Sequence, residues 1–242
     1  MNIAVIFAGG VGSRMHSKIL PKQFLEMHGK PIIVHTIDVF EASDKIDGIV
    51  IACIPEWINY LKDIIKKYNL SKVKDIVPGG STGQESIYNG LLSAKKIAGE
   101  EPSIVLIHDG VRPLITEKTI ADNIDMVQRK GSAITCVKVK ETVLVVDNNN
   151  QIVNIPNRSN SRLARAPQSF WLNEILDAHE KARMEKINSF IDSSSMMQYY
   201  GKKLFLVEGP EANIKVTTPE DFYVMRAMLD AKENAQIYGV EE

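Results

Sequence analysis

Residues 3–15 of this chain read IAVIFAGGVGSRM, and they predict the fold of the domain that is built around them. The run Ile3–Phe7 is apolar throughout, which is typical of a strand buried on both faces. Three glycines come next within four positions, and glycine lets backbone N–H groups turn inward to form a nest that binds anions. Arg14 and Lys22 add two positive charges. The stretch therefore predicts a site for a triphosphate rather than for a neutral ligand.

Composition excludes several classes of protein. The chain has 242 residues, a formal net charge of −1 and 24% charged residues. It fits one α/β domain over residues 1–242 and has no general attraction to nucleic acid or to acidic membranes. Its two cysteines, Cys53 and Cys136, lie in apolar runs, so we expect buried thiols rather than a metal or disulfide framework. We expect a cytoplasmic protein, because neither a signal peptide nor a membrane span of ~20 apolar residues is evident.

Strands and helices alternate along the rest of the chain. Continuous apolar runs predict strands, and apolar residues at helical spacing predict helices. Such alternation is typical of a mainly parallel sheet covered on both faces, which is a Rossmann-like, doubly wound α/β fold. The predicted strands are 48–54, 75–78, 103–107 and 133–139, and the predicted helices are 31–40, 57–68, 86–97 and 116–129.

The segment 140–158 departs from this alternation. Two β-type runs, 141–146 and 151–155, flank Asp147-Asn148-Asn149-Asn150, and Asn and Asp tolerate the backbone conformations of tight turns. The pattern predicts a β-hairpin, which is only marginally stable alone in water. We expect a projecting arm that is exchanged in a homodimer. The alternative is a hairpin folded flat on its own domain.

A second glycine-rich turn lies between a predicted strand and the next helix. It runs from Gly79 to Ser86 and includes Gly80. Ligands of open α/β sheets bind at the carboxyl ends of the strands, where this turn and the first glycine loop would meet. The alternative is an ordinary strand-to-helix connection in which Ser81 or Thr82 caps the helix.

Asp109 is a candidate magnesium ligand. It ends a predicted buried strand and is followed by Gly110 and Arg112. Mg²⁺ typically takes one or two carboxylates and completes its shell with water and phosphate oxygens. The alternative is a structural ion pair between Asp109 and Arg112.

Lys215 is a further candidate from late in the chain. It lies in a predicted short strand, directly before Thr218-Pro219-Glu220-Asp221. Thr218 and Asp221 have the spacing of a capping box, with Pro219 at the first helical position. By itself Lys215 would be an ordinary solvated lysine.

Four blocks of sequence together resemble the CTP:polyol-phosphate cytidylyltransferases. They are Ala8–Phe24, His108–Pro113, Ala166–Phe170 and Asn213–Asp221, and they occur in the family's order over nearly the whole chain. The family has a methylerythritol-phosphate branch in isoprenoid synthesis and a ribitol-phosphate branch in teichoic-acid and capsule synthesis.

The resemblance implies a reaction and residues for it. CTP and a polyol phosphate would give a CDP-polyol and pyrophosphate, with Mg²⁺ as cofactor. The attacking phosphate monoester is mostly a dianion near neutral pH, so catalysis reduces to in-line positioning and charge neutralisation without a general base. The implied catalytic residues are Arg14, Lys22 and Lys215; the nucleotide-binding residues are Ala8, Gly9, Gly10, Gly12, Gly79, Gly80, Ser86 and Asp109; the metal ligand is Asp109; the acceptor-binding residues are Arg112, Lys140, Thr142 and Arg158.

The acceptor residues include one arginine with a specific implied role. Arg158 matches the family arginine that grips the acceptor phosphate, and its alternative is a solvated surface arginine. We expect the acceptor under the hairpin arm, with residues contributed across a dimer.

Several positions depart from the family pattern. Ala166 and Ile191 replace threonines that would donate hydroxyls near the acceptor, Gly83 replaces an arginine, and Ala212 replaces an acidic residue. The spacer between Met15 and Pro21 has the greater length that is typical of the ribitol branch. We therefore favour a pentitol phosphate, with methylerythritol phosphate as the alternative acceptor.

Other classes fit less well. An NAD-dependent oxidoreductase would want a third glycine where Met15 stands. A nucleotidyltransferase that uses another nucleotide or a sugar phosphate shares the first loop but not the later blocks. A non-catalytic nucleotide-binding homologue would account for the altered positions, but the intact residues Arg14, Lys22, Asp109 and Lys215 argue against it.

Overall fold

The computed structural model describes residues 1–10 and 20–238, and strands alternate with helices along them. The strands are β1 Asn2–Ala8, β2 Glu26–Met27, β3 Lys30–Pro31, β4 Gly48–Cys53, β5 Val73–Pro78, β6 Ile104–Asp109, β7 Ser132–Lys138, β8 Val145–Val146, β9 Ile152–Asn154, β10 Arg162–Trp171 and β11 Leu206–Glu208. The helices are α1 Ile32–Ala42, α2 Ile58–Lys67, α3 Gly83–Ala98, α4 Glu117–Lys130, α5 Leu172–Met184, α6 Ser193–Tyr199 and α7 Pro219–Tyr238. Single 3₁₀ turns lie at Lys22–Phe24, Pro55–Trp57 and Arg158–Asn160.

Among the described residues, seven strands form one sheet in the order β11-β7-β10-β6-β1-β4-β5. Neighbouring strands are parallel except β10, which runs antiparallel to both β6 and β7. The predicted α/β fold with a mainly parallel sheet is therefore confirmed. Because β1, β4, β5 and β6 are parallel, their carboxyl ends meet at one edge, at Ala8, Cys53, Pro78 and Asp109.

Apolar side chains cover both faces of this sheet. On one face Ala4 and Ile6 of β1 belong to a buried cluster that includes Phe40 of α1. On the other face Ile3 of β1 belongs to a cluster that includes Leu91 of α3. All of these side chains are fully buried, as the uninterrupted apolar run in β1 predicted.

The helices and strands predicted up to residue 139 agree with the structure to within about three residues at each end. Two predictions about strands are wrong. The hairpin strands are shorter than 141–146 and 151–155, because their register shifts at Val145 and the Asp147 carboxylate takes the N–H groups of Asn149 and Gln151 into a wider turn. Lys215 lies in an irregular segment rather than a strand.

No prediction covered β10, although it is the strand that completes the site. Pro167 lies within it, and its pairing with β7 shifts register between Ala164 and Gln168. A proline and an irregular ladder remove the regular alternation by which a strand is recognised in a sequence.

The two cysteines are free and buried, as predicted. Burial raises the pKa of the Cys53 thiol to about 12, so it stays protonated and unreactive at neutral pH. In the part of the chain that the structure describes, no helix has both the length and the apolar character to cross a membrane.

Candidate active site

Two adjoining cavities lie at the carboxyl ends of the parallel strands. The first, here called the glycine-loop cavity, has a volume of about 500 Å³. The second, here called the inner cavity, has a volume of about 290 Å³. Both cavities are lined by Phe7, Thr82, Gly83, Asp109 and Lys215, which form their common wall.

The glycine-loop cavity gathers most of the predicted nucleotide-binding residues. Its walls include Ala8, Gly9, Gly10, Lys22, Gly80, Ser86, Asp109 and Lys215. Gly79 was also predicted here, but it does not line the cavity. Arg14 and Gly12, which were also predicted here, lie outside the described residues.

Ser86 joins the two glycine-rich loops. Its hydroxyl accepts the Gly80 N–H at 3.0 Å and donates to the Thr82 carbonyl at 2.9 Å. A Cβ at Gly9 would lie 2.9 Å from the Ser86 hydroxyl oxygen, and one at Gly79 would lie 3.2 Å from it. A Cβ at either position would crowd the Ser86 side chain, most severely at Gly9, whereas Gly10 has open space beside it and leaves room for a ligand.

The second glycine-rich turn also forms the helix cap that was the alternative interpretation of its sequence. Thr82 caps α3, because its side chain accepts the Glu85 N–H at 3.1 Å. The Ser81 N–H and hydroxyl both donate to the Glu85 carboxylate, at 2.7 and 2.8 Å. The two interpretations are compatible, since the capped turn is itself a wall of the cavity.

Lys22 is positioned by the residues directly after it in the chain. The buried Gln23 side chain donates to the Ala8 carbonyl at 2.7 Å, which ties this turn to the end of β1. Phe24 is fully buried and packs against Trp57 at a ring-centroid distance of 5.4 Å. The Lys22 backbone is thereby held at the cavity wall by contacts that do not involve its ammonium group.

Asp109 lies between two cations at the wall that the cavities share. Its Oδ2 accepts from Arg112 Nε at 2.7 Å and its Oδ1 contacts Lys215 Nζ at 2.5 Å. Asp109 and Arg112 are only 6% and 8% exposed. Burial alone would raise the pKa of the Asp109 carboxyl, but the charges of Lys215 and Arg112 outweigh it and hold that pKa below its usual value. The ion pair that was the alternative for Asp109 is therefore present.

Lys215 is held in place although its segment is not a strand. Asn213 is buried, donates to the Ala166 carbonyl at 3.1 Å and accepts from Arg112 Nη1 at 2.9 Å through its own carbonyl. Val216 is buried and its N–H donates to the Val111 carbonyl at 3.0 Å. These neighbours on both sides point the Lys215 ammonium at Asp109 and over the Phe7 ring.

The predicted capping box begins α7. The Asp221 carboxylate accepts the N–H groups of Thr217 and Thr218, each at 2.8 Å, and the Thr218 hydroxyl accepts the Asp221 N–H at 3.3 Å. Pro219 is the first residue of the helix. Thr217 also lines the glycine-loop cavity, a role that the sequence did not indicate.

The inner cavity is built largely on β10 and the start of α6. Gln168 donates to Asp192 Oδ2 at 2.8 Å and accepts the Ser194 N–H at 2.8 Å. Asp192 caps α6 by accepting the Ser195 N–H at 2.8 Å. Burial alone would raise the pKa of Asp192, but hydrogen bonds from Ser195 and Gln168 outweigh it and lower the pKa, so this carboxylate is ionised and fully bonded.

The predicted acceptor-binding residues are only partly brought together. Arg112 lines the inner cavity, and so do Ala166 and Ile191. Lys140, Thr142 and Arg158 do not, and they are exposed at the base of the hairpin. Lys140 forms an ion pair with Glu211, and Arg158 donates to the Lys140 carbonyl at 3.2 Å. Within one chain these three residues therefore line neither cavity.

Arg165 lines the inner cavity and was missed by sequence reasoning. Its one signal was its position directly before the Ala166-Pro167-Gln168 block. Arg162 and Arg165 lie three residues apart on the same strand, and the sequence does not show which of them lines a cavity.

His108 has a structural role despite its position next to Asp109. It is fully buried, its Nε2 donates to the Arg112 carbonyl at 3.1 Å, and its ring packs edge-on against Phe40. Burial lowers its pKa to about 4, so it is neutral at physiological pH.

The described residues contain no group of three or more His, Cys, Asp or Glu side chains that could hold a metal ion. Asp109 is the single carboxylate that lines the glycine-loop cavity among them. A site of this kind suits a Mg²⁺ ion that receives most of its oxygen ligands from a bound triphosphate, because Mg²⁺ commonly keeps only one or two protein carboxylates.

Comparisons with known proteins agree with this geometry. A family model described as IspD, 2-C-methyl-D-erythritol 4-phosphate cytidylyltransferase, matches residues 2–231. The chain is 52% identical over 240 residues to a ribitol-5-phosphate cytidylyltransferase of Streptococcus agalactiae serotype V, covering 99% of this chain and 100% of that protein. It is 40% identical over 230 residues to a 2-C-methyl-D-erythritol 4-phosphate cytidylyltransferase of Clostridium botulinum, covering 95% of this chain and 97% of that protein.

A solved structure has the same fold. It is the 4-diphosphocytidyl-2C-methyl-D-erythritol synthase of Anaerococcus prevotii, with a TM-score of 0.81 and 28% identity over 95% of this chain and 96% of that one. The similarities in sequence and in structure extend over both cavities rather than over the glycine loops alone.

Proposed function

Because this chain belongs to the IspD family of cytidylyltransferases, we propose that it transfers CMP from CTP to D-ribitol 5-phosphate, giving CDP-ribitol and pyrophosphate. The observation that carries the choice of acceptor is the 52% identity, over the whole of both chains, with a ribitol-5-phosphate cytidylyltransferase. Identity with a methylerythritol-phosphate enzyme is lower, at 40%. Methylerythritol phosphate is therefore the second candidate. Since the reaction consumes CTP, we expect the protein in the cytoplasm.

The glycine-loop cavity is the site that we assign to CTP. Backbone N–H groups around Gly9 and Gly10 would bind the triphosphate, together with Lys22 and with Arg14 from outside the described residues. Gly79, Gly80 and Ser86 would frame the cytosine. Asp109 is the residue that would hold a Mg²⁺ ion, which neutralises the negative charge of the triphosphate when bound.

The wall between the cavities is where the two substrates would meet. A nucleophilic phosphate in the inner cavity would reach a nucleotide in the glycine-loop cavity across their common wall, whose charged members are Asp109 and Lys215. Lys215 would stabilise the charge that develops on the α-phosphate, and Asp109 holds its ammonium group in position beforehand. The acceptor phosphate is already a dianion, so this arrangement needs no general base.

The inner cavity would hold the polyol phosphate. Arg112 is fixed there by Asp109 and by the Asn213 carbonyl. Ala166 and Ile191 stand where the family usually has threonines, which removes two hydroxyl donors and adds apolar surface. That difference separates this chain from the usual family pattern but does not by itself favour one acceptor over the other.

The hairpin arm supports a homodimer. Six aliphatic side chains on it are between 42% and 59% exposed, namely Leu144, Val145, Val146, Ile152, Val153 and Ile155. Successive residues of a strand point to opposite faces, so both faces of the hairpin are apolar and uncovered. A hairpin folded flat on its own chain would cover one face, whereas the surface of a second copy would cover this exposed apolar area. The partner's inner cavity would then receive Lys140, Thr142 and Arg158.

One assay tests the reaction. Pyrophosphate release is measured with each nucleoside triphosphate against ribitol 5-phosphate, methylerythritol 4-phosphate and glycerol 3-phosphate, with and without EDTA. We expect release with CTP and ribitol 5-phosphate that EDTA abolishes. Higher kcat/KM with methylerythritol phosphate would establish the second candidate. Thermal stabilisation by CTP and Mg²⁺ without pyrophosphate release would instead indicate a non-catalytic nucleotide-binding homologue.

A further inference from the structure

Arg165 is a cation of the inner cavity that has no partner among the described residues. It is half-buried on β10, and its Nε atom is inaccessible to solvent and makes no hydrogen bond to them. Across the described part of the chain its guanidinium forms neither a hydrogen bond nor an ion pair. A buried charged donor without an acceptor is costly, so such a group is expected to meet its partner when a ligand enters.

The carboxylates of the inner cavity are already engaged. Asp109 is bonded to Arg112 and Lys215, and Asp192 is bonded to Gln168 and to the start of α6. Among its described residues the cavity thus has three cations, Arg112, Arg165 and Lys215, and two carboxylates. Neither carboxylate is paired with Arg165.

The surroundings of Arg165 act against its positive charge. Burial and the nearby charge of Arg112 lower its pKa, and only Glu211 opposes them. Glu211 is itself paired with Lys140. An anion that entered between Arg112 and Arg165 would relieve this repulsion, whereas neutral hydroxyl groups would not.

We propose that Arg165 binds the phosphate group of the acceptor, as a cation that the same chain supplies to its own inner cavity; this inference rests on the proposed function. A guanidinium presents a planar pair of donors that matches two oxygens of a phosphate. Arg165 lines the inner cavity and not the glycine-loop cavity. Its contact is therefore with the acceptor and not with CTP.

Arg165 differs in this respect from Arg158. Arg158 is exposed on the arm, lines neither cavity of its own chain, and would reach one only if the arm engaged a second copy. Arg165 needs no second copy. The acceptor phosphate would thus be held from within the chain even where the arm is disengaged.

The test compares Arg165→Leu and Arg165→Lys with Arg162→Leu. Arg162 lies on the same strand, is exposed, and bonds only to the Ser159 and Ser161 carbonyls among its described neighbours. We expect Arg165→Leu to raise the KM for ribitol 5-phosphate about 10- to 100-fold, since a hydrogen-bonded charge contact is lost. The KM for CTP should stay unchanged, Arg165→Lys should be intermediate, and Arg162→Leu should resemble the wild type.

Acceptors of different length distinguish a contact with the phosphate group from a contact with the hydroxyl groups. Ribitol 5-phosphate, erythritol 4-phosphate and glycerol 3-phosphate share the phosphate and differ in the number of hydroxyl groups. If Arg165 binds the phosphate, Arg165→Leu lowers kcat/KM by the same factor for every acceptor that the wild type uses. A loss that grows with the number of hydroxyl groups, or no loss relative to Arg162→Leu, overturns the inference.

A binding measurement makes the result independent of the choice of acceptor. With α,β-methylene CTP and Mg²⁺ saturating the glycine-loop cavity, inorganic phosphate is titrated into each variant by calorimetry. Weaker phosphate binding to Arg165→Leu than to Arg162→Leu supports the inference even if no polyol phosphate is turned over, in which case only the proposed function fails. Equal phosphate binding to both variants overturns it.

Discussion

At the scale of single residues, the candidate site holds charged side chains in fixed ion pairs. Asp109 holds Lys215 at 2.5 Å and Arg112 at 2.7 Å, so two cations are fixed at the wall where the phosphates would meet. Charges that are fixed in advance cost no reorganisation when negative charge develops in a transition state. Asp109 is therefore both a structural anchor for cations and the proposed metal ligand.

Lys22 provides a prediction at this scale. We expect Lys22→Ala to lower kcat by about 10²–10³ without unfolding the protein, because one charged contact to the developing negative charge is removed. The structure supports retained folding, since the buried side chains of Gln23 and Phe24 anchor this turn. Steady-state kinetics and thermal denaturation measure the two effects. Lys62→Ala, an exposed change on α2, is the control, and near wild-type turnover of Lys22→Ala would refute the role.

At the scale of elements, the arm and strand β10 are the two that we propose to surround the acceptor. β10 enters between β6 and β7 and brings Arg165, Ala166 and Gln168 beside Asp109. The arm leaves the body directly before β10 and carries exposed aliphatic side chains on both faces. One element thus completes the cavity within the chain, and the other is available to a second copy.

The arm yields a prediction about assembly. We expect the double change Val145→Glu and Val153→Glu to convert a dimer into a monomer, because two charges would have to be buried against the partner's apolar surface. Sedimentation velocity at micromolar concentration measures the state. Lys118→Glu on α4, far from the arm along the chain and exposed, is the matched change in charge. A wild-type protein that sediments as a monomer would contradict the exchanged arm.

At the scale of the whole molecule, buried histidines link stability to pH. Burial lowers the pKa values of His108 and His179 to about 4, from an ordinary 6.5. Between these values the unfolded chain binds a proton on each ring and the folded chain does not. Stability is therefore full above pH 6.5 and is lost as the pH falls towards 4, by about 1.4 kcal/mol per pH unit for each ring.

His179→Phe tests this linkage. His179 stacks on Tyr88 and its Nε2 has no partner among the described residues, so phenylalanine keeps the packing and removes the titration. We expect the free energy of unfolding of the variant to fall less steeply between pH 6.5 and 4, measured by urea denaturation. The depressed pKa values of Asp109, Asp192 and Asp221 act only below their ordinary value of 3.8, outside this window. An unchanged slope would contradict the assignment.

Local patterns in the sequence were enough to predict the parallel α/β framework, the two glycine-rich loops, the capped start of α7 and the family. Each is written in a local pattern, such as the apolar run Ile3–Phe7 or the Thr218–Asp221 spacing, that needs no knowledge of distant residues. The folded structure was needed to place β10 antiparallel beside β6, to pair Lys215 with Asp109, and to show that Arg165 rather than Arg162 lines the inner cavity. These contacts join residues far apart in the chain, and burial and charge pairing between them are properties of the folded packing rather than of any local period.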